Sequence, residues 1–178
     1  MTAEPATSTT TEPRTIRRAM TGDAAGISEI YAHYVAESFA TFDELPPTVG
    51  AWAERLTALD ASGHPVLVAV AASGDVAGYA YVAPWKPKHA YRATVENSIY
   101  LAPSAAGTGL GRRLLAELID ACRDAGHTEI IAVISDRGSD ASLALHEHAG
   151  FRRVGRLENV GCKFGTWLGV HLLQYSVM

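Results

Sequence analysis

Short apolar runs and helically spaced apolar residues alternate along this chain. Runs rich in β-branched and aromatic residues predict strands at residues 15–19, 66–70, 76–82, 95–101, 129–135, 154–157 and 168–177. Apolar residues three and four apart predict helices at residues 24–36, 49–58, 110–125 and 141–148. Strands and helices in this order predict an α/β fold with a mixed sheet flanked by helices.

The connections between these elements predict part of the topology. Ser73-Gly74-Asp75 lies between two strand-like runs, which is typical of an antiparallel β-hairpin. The strand at 95–101, the helix at 110–125 and the strand at 129–135 form a βαβ unit, so these two strands are predicted to be parallel. Asp23 and Thr48 precede the first two helices and are predicted to cap them.

A glycine-rich turn joins the strand at 95–101 to the following helix. Gly107, Gly109 and Gly111 stand at alternate positions there. Free backbone amides and the positive dipole end of a helix favour a bound phosphate at such a junction. The spacing fits neither the dinucleotide fingerprint nor the nucleotide P-loop, in which Arg112 would have to be a lysine. From the glycines alone, another phosphate ligand and a plain loop both stay open.

Length and charge limit the class of protein. The 178 residues are 48% hydrophobic, which is enough for one domain, predicted at residues 14–178. Residues 1–13 are rich in Thr, Pro, Ala and Glu and are predicted to form a disordered tail. The net charge of −4 argues against nucleic acid and anionic membranes as partners.

The lengths of the apolar runs and the number of cysteines indicate the cellular compartment of the protein. No apolar run approaches the ~18 residues of a membrane span, and no signal peptide is visible. Cys122 and Cys162 are too few for a disulfide scaffold and lack metal-ligand spacing. We therefore expect a cytoplasmic protein that binds no membrane and no metal.

Several separated motifs resemble one enzyme family. Residues 106–111, Ala-Gly-Thr-Gly-Leu-Gly, resemble the Gln/Arg-x-x-Gly-x-Gly/Ala motif of the GCN5-related N-acetyltransferases (GNAT), which binds the pyrophosphate of acetyl-CoA. Ala106 departs from the family's usual Gln or Arg. Pro84-Trp85-Lys86 and residues 91–100 and 161–167 resemble the phosphinothricin and methionine sulfoximine N-acetyltransferase branch. The similarity covers roughly residues 14–175.

The resemblance implies a GNAT fold: a mixed, mostly antiparallel sheet with a central βαβ unit at the acetyl-CoA site. It also implies a homodimer that uses acetyl-CoA as co-substrate. The residues it assigns to acetyl-CoA are Ile99, Tyr100, Leu101, Gly107, Thr108, Gly109, Leu110, Gly111, Arg112 and Ser139. Those it assigns to a small amino-acid-like acceptor are Phe39, Phe42, Lys86, Lys88, Tyr91, Arg92, Thr94 and Lys163.

Acetyl transfer to an amine indicates which groups to look for. The amine must lose a proton, the thioester oxygen needs hydrogen-bond donors, and the leaving thiolate must be stabilised. Glu96 is the candidate base, although Lys86, Lys88 and Arg92 would oppose the raised pKa that suits this role. His146 is either a second acid or base, or a packing residue.

The basic segment at 85–92 suits an acceptor that carries a carboxylate, phosphinate or sulfone oxygen, although a solvated basic loop has the same composition. We therefore expect acetylation of the α-amine of phosphinothricin, methionine sulfoximine or methionine sulfone. Two alternatives stay open. One is a GNAT enzyme acting on a protein N-terminus, a lysine or a polyamine, and the other is a silent acyl-CoA sensor.

Overall fold

The computed structural model describes residues 14–178. Seven strands run in chain order as β1 (Thr15–Arg18), β2 (Val66–Val70), β3 (Val76–Pro84), β4 (Thr94–Leu101), β5 (Glu129–Ser135), β6 (Arg152–Lys163) and β7 (Thr166–Ser176). Four helices connect them: α1 (Ala24–Glu37), α2 (Val49–Ala61), α3 (Leu110–Asp124) and α4 (Asp140–His148). The predicted disordered tail at 1–13 lies outside the described residues.

All seven strands belong to one sheet in the order β1-β2-β3-β4-β5-β7-β6. β4 and β5 are parallel, and the other neighbouring pairs are antiparallel. The mixed, mostly antiparallel sheet with a central βαβ unit is therefore confirmed. The β2–β3 hairpin is confirmed as well.

The sheet carries an apolar layer on each face because successive strand residues point to opposite sides. Val66 and Val68 of β2 pack with α1 and α2, whereas Leu67 and Ala69 pack with α3. On α3 the buried face is formed by Leu110, Leu114, Leu115, Leu118, Ile119 and Cys122. This is the helical repeat seen in the sequence. In the described part of the chain, no helix is long and apolar enough to cross a membrane.

One strand and one helix cap differ from the sequence prediction. β6 has 12 residues, whereas the sequence predicted a strand only at residues 154–157. The prediction was too short because most side chains of β6 are exposed and show no alternation of apolar and polar residues. Thr48 caps α2 as predicted, with its Oγ1 accepting from the amide of Ala51 at 3.1 Å. Asp23 makes no such bond to α1, since its carboxylate accepts from Arg17 and from the Met20 amide instead.

Candidate active site

The parallel strands β4 and β5 separate halfway along their length. Their pairing runs from Thr94–Glu129 to Asn97–Ala132 and ends there. Residues 133–135 then pair with β7, and residues 98–101 pair with β3 alone. A cavity of about 740 Å³ opens between the two strands and is bordered by residues 98–101 and 132–135. The Leu101 carbonyl accepts from the Tyr34 hydroxyl at 2.9 Å. The other backbone groups that face this gap have no strand partner there and are free to bind a ligand.

The glycine turn closes one end of the cavity. Gly107 and Gly109 adopt left-handed conformations, with φ of 72° and 80°, and Gly109 is the N-cap of α3. Since glycine has no capping side chain, the first-turn amides of α3 have no side-chain cap and are free to bind an anion. Gly107, Gly109, Gly111 and Arg112 line the cavity as predicted.

Leu110 and Thr108 of the same turn were also assigned to acetyl-CoA, but both contact other parts of the protein. Leu110 is buried in the apolar core under α3. The hydroxyl of Thr108 donates to the carbonyl of Ala105 at 2.7 Å and accepts from Nη1 of Arg14 at 3.0 Å. Neither Leu110 nor Thr108 is among the lining residues. Arg14 thereby ties the chain before β1 to the glycine turn.

Glu96 of β4 also lines the cavity and is half-buried. Burial raises the pKa of this carboxyl, and the nearby charge of Lys86 offsets part of the rise. The conflict between these two effects could not be resolved from the sequence, and burial dominates. A carboxylate with a raised pKa is a better proton acceptor at neutral pH than an ordinary glutamate.

His146 of α4 borders the cavity and is buried. Its Nδ1 lies 2.8 Å from the Ser142 carbonyl, which only accepts, so Nδ1 carries the hydrogen. Nε2 therefore accepts from the amide of Asn97, at 2.9 Å. Burial lowers the pKa of His146, so the ring is neutral at pH 7. The bond to Asn97 joins α4 to β4, and the bond to Ser142 lies within α4.

Ser139 is buried immediately before α4 and lines the cavity near the glycine turn. Its Oγ donates to the carbonyl of Arg137 at 3.3 Å. Ile99, Tyr100 and Leu101 of β4 also line the cavity, as predicted. The structure therefore brings most of the residues assigned to acetyl-CoA into one groove.

Aromatic residues and a loop form the remaining wall. Thr41 and Phe42 line the cavity from the loop at residues 38–47, here called the acceptor loop. The hydroxyl of Tyr31 lies 2.7 Å from Oγ1 of Thr41 and donates to Asp43 at 2.7 Å. Sequence reasoning missed Tyr31 and Tyr34, since their spacing on α1 is that of an ordinary apolar helix face.

Several residues assigned to the acceptor lie outside the lining set. Phe39 packs on Phe164, with ring centroids 5.7 Å apart, and Lys163 contacts backbone carbonyls behind the acceptor loop. The others belong to the segment at 86–94, which precedes and begins β4: Lys86, Lys88, Tyr91, Arg92 and Thr94. Of these, Lys86 is close enough to Glu96 to lower its pKa.

The groups that line the cavity define the chemistry that it can support. Within residues 14–178, no cluster of three or more His, Cys, Asp or Glu side chains could hold a metal ion. The cavity instead combines an anion-binding turn, an open strand edge and a carboxylate whose pKa is raised by burial. These are the groups that transfer of an acyl group from a phosphate-bearing thioester to an amine requires.

Comparison with known proteins gives the family. The acetyltransferase (GNAT) domain matches residues 16–172. A phosphinothricin N-acetyltransferase of Alcaligenes faecalis is 41% identical over 160 residues, covering 90% of this chain and 81% of that protein. An L-methionine sulfoximine/L-methionine sulfone acetyltransferase of Pseudomonas paraeruginosa is 37% identical over 162 residues, covering 91% of this chain and 94% of that protein.

A solved structure shows the same fold. The phosphinothricin acetyltransferase of Sinorhizobium meliloti, in complex with acetyl-CoA, has a TM-score of 0.87 and 39% identity to this chain. The match covers 92% of this chain and 88% of that one. From both the sequence match and the shared fold, the chain belongs to the GNAT family of acetyltransferases.

Proposed function

We propose that this enzyme transfers the acetyl group of acetyl-CoA to the α-amine of a small amino-acid analogue, namely phosphinothricin, methionine sulfoximine or methionine sulfone. The observation that carries the proposal is the cavity between β4 and β5. It has an anion-binding glycine turn at one end and Glu96 on its wall. The names of the relatives support the choice of acceptor.

The residues of the cavity fit acetyl-CoA, which supplies the acetyl group as a thioester. The first-turn amides of α3 and the side chain of Arg112 are the proposed contacts for its phosphates. The unpaired edge of residues 98–101 offers backbone groups to its amide-bearing arm. An amide of this edge is also the proposed donor to the thioester oxygen.

Glu96 is the proposed base that takes the proton of the acceptor's ammonium. Among the described residues that line the cavity, it is the sole carboxylate. Its raised pKa brings its proton affinity closer to that of the amine, which eases proton transfer near neutral pH. Lys86, beside it, is the proposed contact for an anionic oxygen of the acceptor.

For His146, the hydrogen bonds favour the packing role over the acid or base role. Nδ1–H is used by the Ser142 carbonyl, and the lone pair of Nε2 is used by Asn97. Proton transfer through this ring would first require one of these bonds to break. We therefore assign His146 to holding α4 against β4.

The proposal is tested by measuring CoA release with phosphinothricin, methionine sulfoximine, methionine sulfone, a polyamine and a short peptide. We expect turnover with the amino-acid analogues and none with the polyamine or the peptide. Turnover confined to the peptide or the polyamine would contradict the proposed acceptor. Bound acetyl-CoA without turnover on any amine would indicate a sensor.

A cytoplasmic homodimer with a role in antibiotic or herbicide resistance completes the proposal. Two free cysteines suit a reducing compartment. Apolar side chains are exposed on β6, at the turn to β7 and at the start of β7, namely Val154, Leu157, Val160, Phe164 and Trp167. Such a patch is typical of a protein interface. Light scattering should give the mass of a dimer, and Trp167→Glu should lower that mass. The resistance role is tested by whether cells that express the protein grow in the presence of phosphinothricin.

A further inference from the structure

Lys163, the last residue of β6, is a buried cation. Its side chain lies inside the protein, with 1% of the residue exposed. Nζ donates to the carbonyl of Ser38 at 2.9 Å and of Thr41 at 2.8 Å, with the carbonyl of Tyr34 at 3.5 Å. An ammonium has three hydrogens to donate, so these three carbonyls account for all of them.

The surroundings compensate for the burial of this charge. Burial lowers the pKa of Lys163, and the carboxylates of Asp43 and Glu44 offset part of that fall. Two of the accepting carbonyls, those of Tyr34 and Ser38, belong to the C-terminal end of α1, where the helix dipole is negative. A buried ammonium without such partners would be strongly unfavourable.

Two neighbours of Lys163 contact the same loop. A Cβ atom at Gly161 would overlap the ring of Phe42, so the ring lies directly against the backbone of β6. The ring of Phe164 packs on Phe39, with centroids 5.7 Å apart. Residues 161, 163 and 164 thus contact the acceptor loop at four of its residues, Ser38, Phe39, Thr41 and Phe42.

The acceptor loop also forms part of the wall of the cavity. Thr41 and Phe42 line the cavity, and Thr41 also bonds the buried hydroxyl of Tyr31. We propose that Lys163 is a positioning residue. Through its bonds to the carbonyls of Ser38 and Thr41, it sets the wall against which the acceptor binds. This inference rests on the proposed function, since the acceptor is the ligand that this wall would contact.

Lys163→Met tests the inference because methionine keeps most of the side-chain length and removes the charge and all three donors. We expect the KM for phosphinothricin to rise about tenfold, equivalent to about 1.4 kcal/mol, with the KM for acetyl-CoA unchanged. Arg152→Met, which removes an exposed charge from the same strand, is the matched control and should change neither constant.

A second variant covers the case in which Lys163→Met does not fold. Gly161→Ala leaves the ammonium in place and displaces the Phe42 ring, so it should also raise the KM for the acceptor alone. A lower kcat with both KM values unchanged, in whichever variant folds, would indicate a purely structural role and overturn the inference.

Hydrogen exchange separates failure of this inference from failure of the proposed function. If the wild-type enzyme acetylates none of the tested amines, the proposed function fails, and the kinetic test cannot be run. The amides of residues 38–43 should still exchange faster in Lys163→Met than in wild type or in Arg152→Met. Unchanged exchange across this loop would overturn the inference on its own.

Discussion

Replacing Glu96 by glutamine should remove the proposed general base and little else. Glutamine has nearly the same shape, so the half-buried position on β4 stays filled. General base catalysis contributes about 10²- to 10⁴-fold, or about 3–5 kcal/mol of barrier, so we expect kcat to fall by that factor. The full loss is expected because no other carboxylate among the described residues lines the cavity.

The pH profile of kcat/KM makes this prediction specific to proton transfer. Glu96 accepts a proton only when ionised, so wild-type kcat/KM should fall on the acid side as Glu96 becomes protonated. Because burial raises its pKa, the fall should begin at a higher pH than an ordinary glutamate, near pH 4.3, would give. In Glu96→Gln this acid limb should disappear.

Lys86→Met gives an independent check on the same electrostatics. The positive charge of Lys86 lowers the pKa of Glu96, so its removal should move the acid limb to higher pH. A change in acceptor KM does not affect the position of that limb. The assignment of Glu96 would be refuted if Glu96→Gln kept kcat within threefold of wild type, or if its acid limb persisted unchanged.

Three further predictions concern stability and acetyl-CoA binding. Gly169→Ala should lower the free energy of unfolding by about 1–3 kcal/mol, since its Cβ would lie 2.5 Å from the carbonyl oxygen of Leu157. His64 and His127 are stacked, and burial lowers the pKa of both, so stability should be complete above about pH 6.5 and fall as the pH drops below it. Arg14→Ala should raise the KM for acetyl-CoA and leave that for the acceptor unchanged, because it frees the glycine turn.

Denaturant unfolding and steady-state kinetics check these three. Between pH 5 and pH 8, the free energy of unfolding should change more in the wild type than in His127→Gln. His89 is exposed, so His89→Gln is the control and should show the wild-type pH dependence. Equal pH dependence in all three proteins would contradict the role of the histidine pair. Gly169→Ala at wild-type stability would mean that β6 can shift at no cost. A rise in both KM values in Arg14→Ala would indicate a general loss of structure.

Local sequence pattern predicted most of the fold because each signal depends on neighbours in the chain. The leucines of α3 recur at helical spacing, and the buried strands carry β-branched runs, so those bounds agree with the structure within a few residues. β6 is the exception. Within the sheet it pairs with β7 alone, and that pairing has two register shifts. Its exposed Arg, Glu and Gly residues carry no period-two signal.

The sequence by itself determined the family, the βαβ unit and the glycine turn, and it gave Glu96 as the candidate base, since local patterns carry each of them. Only the tertiary structure decided the surroundings of those groups. Burial decided that the pKa of Glu96 rises despite Lys86, because desolvation depends on everything packed around the carboxyl. The bonds of His146 to Asn97, 49 residues away, and of Lys163 to Thr41, 122 residues away, exist only after the sheet forms. Side-chain partners so distant in the chain leave no local pattern from which they could be predicted.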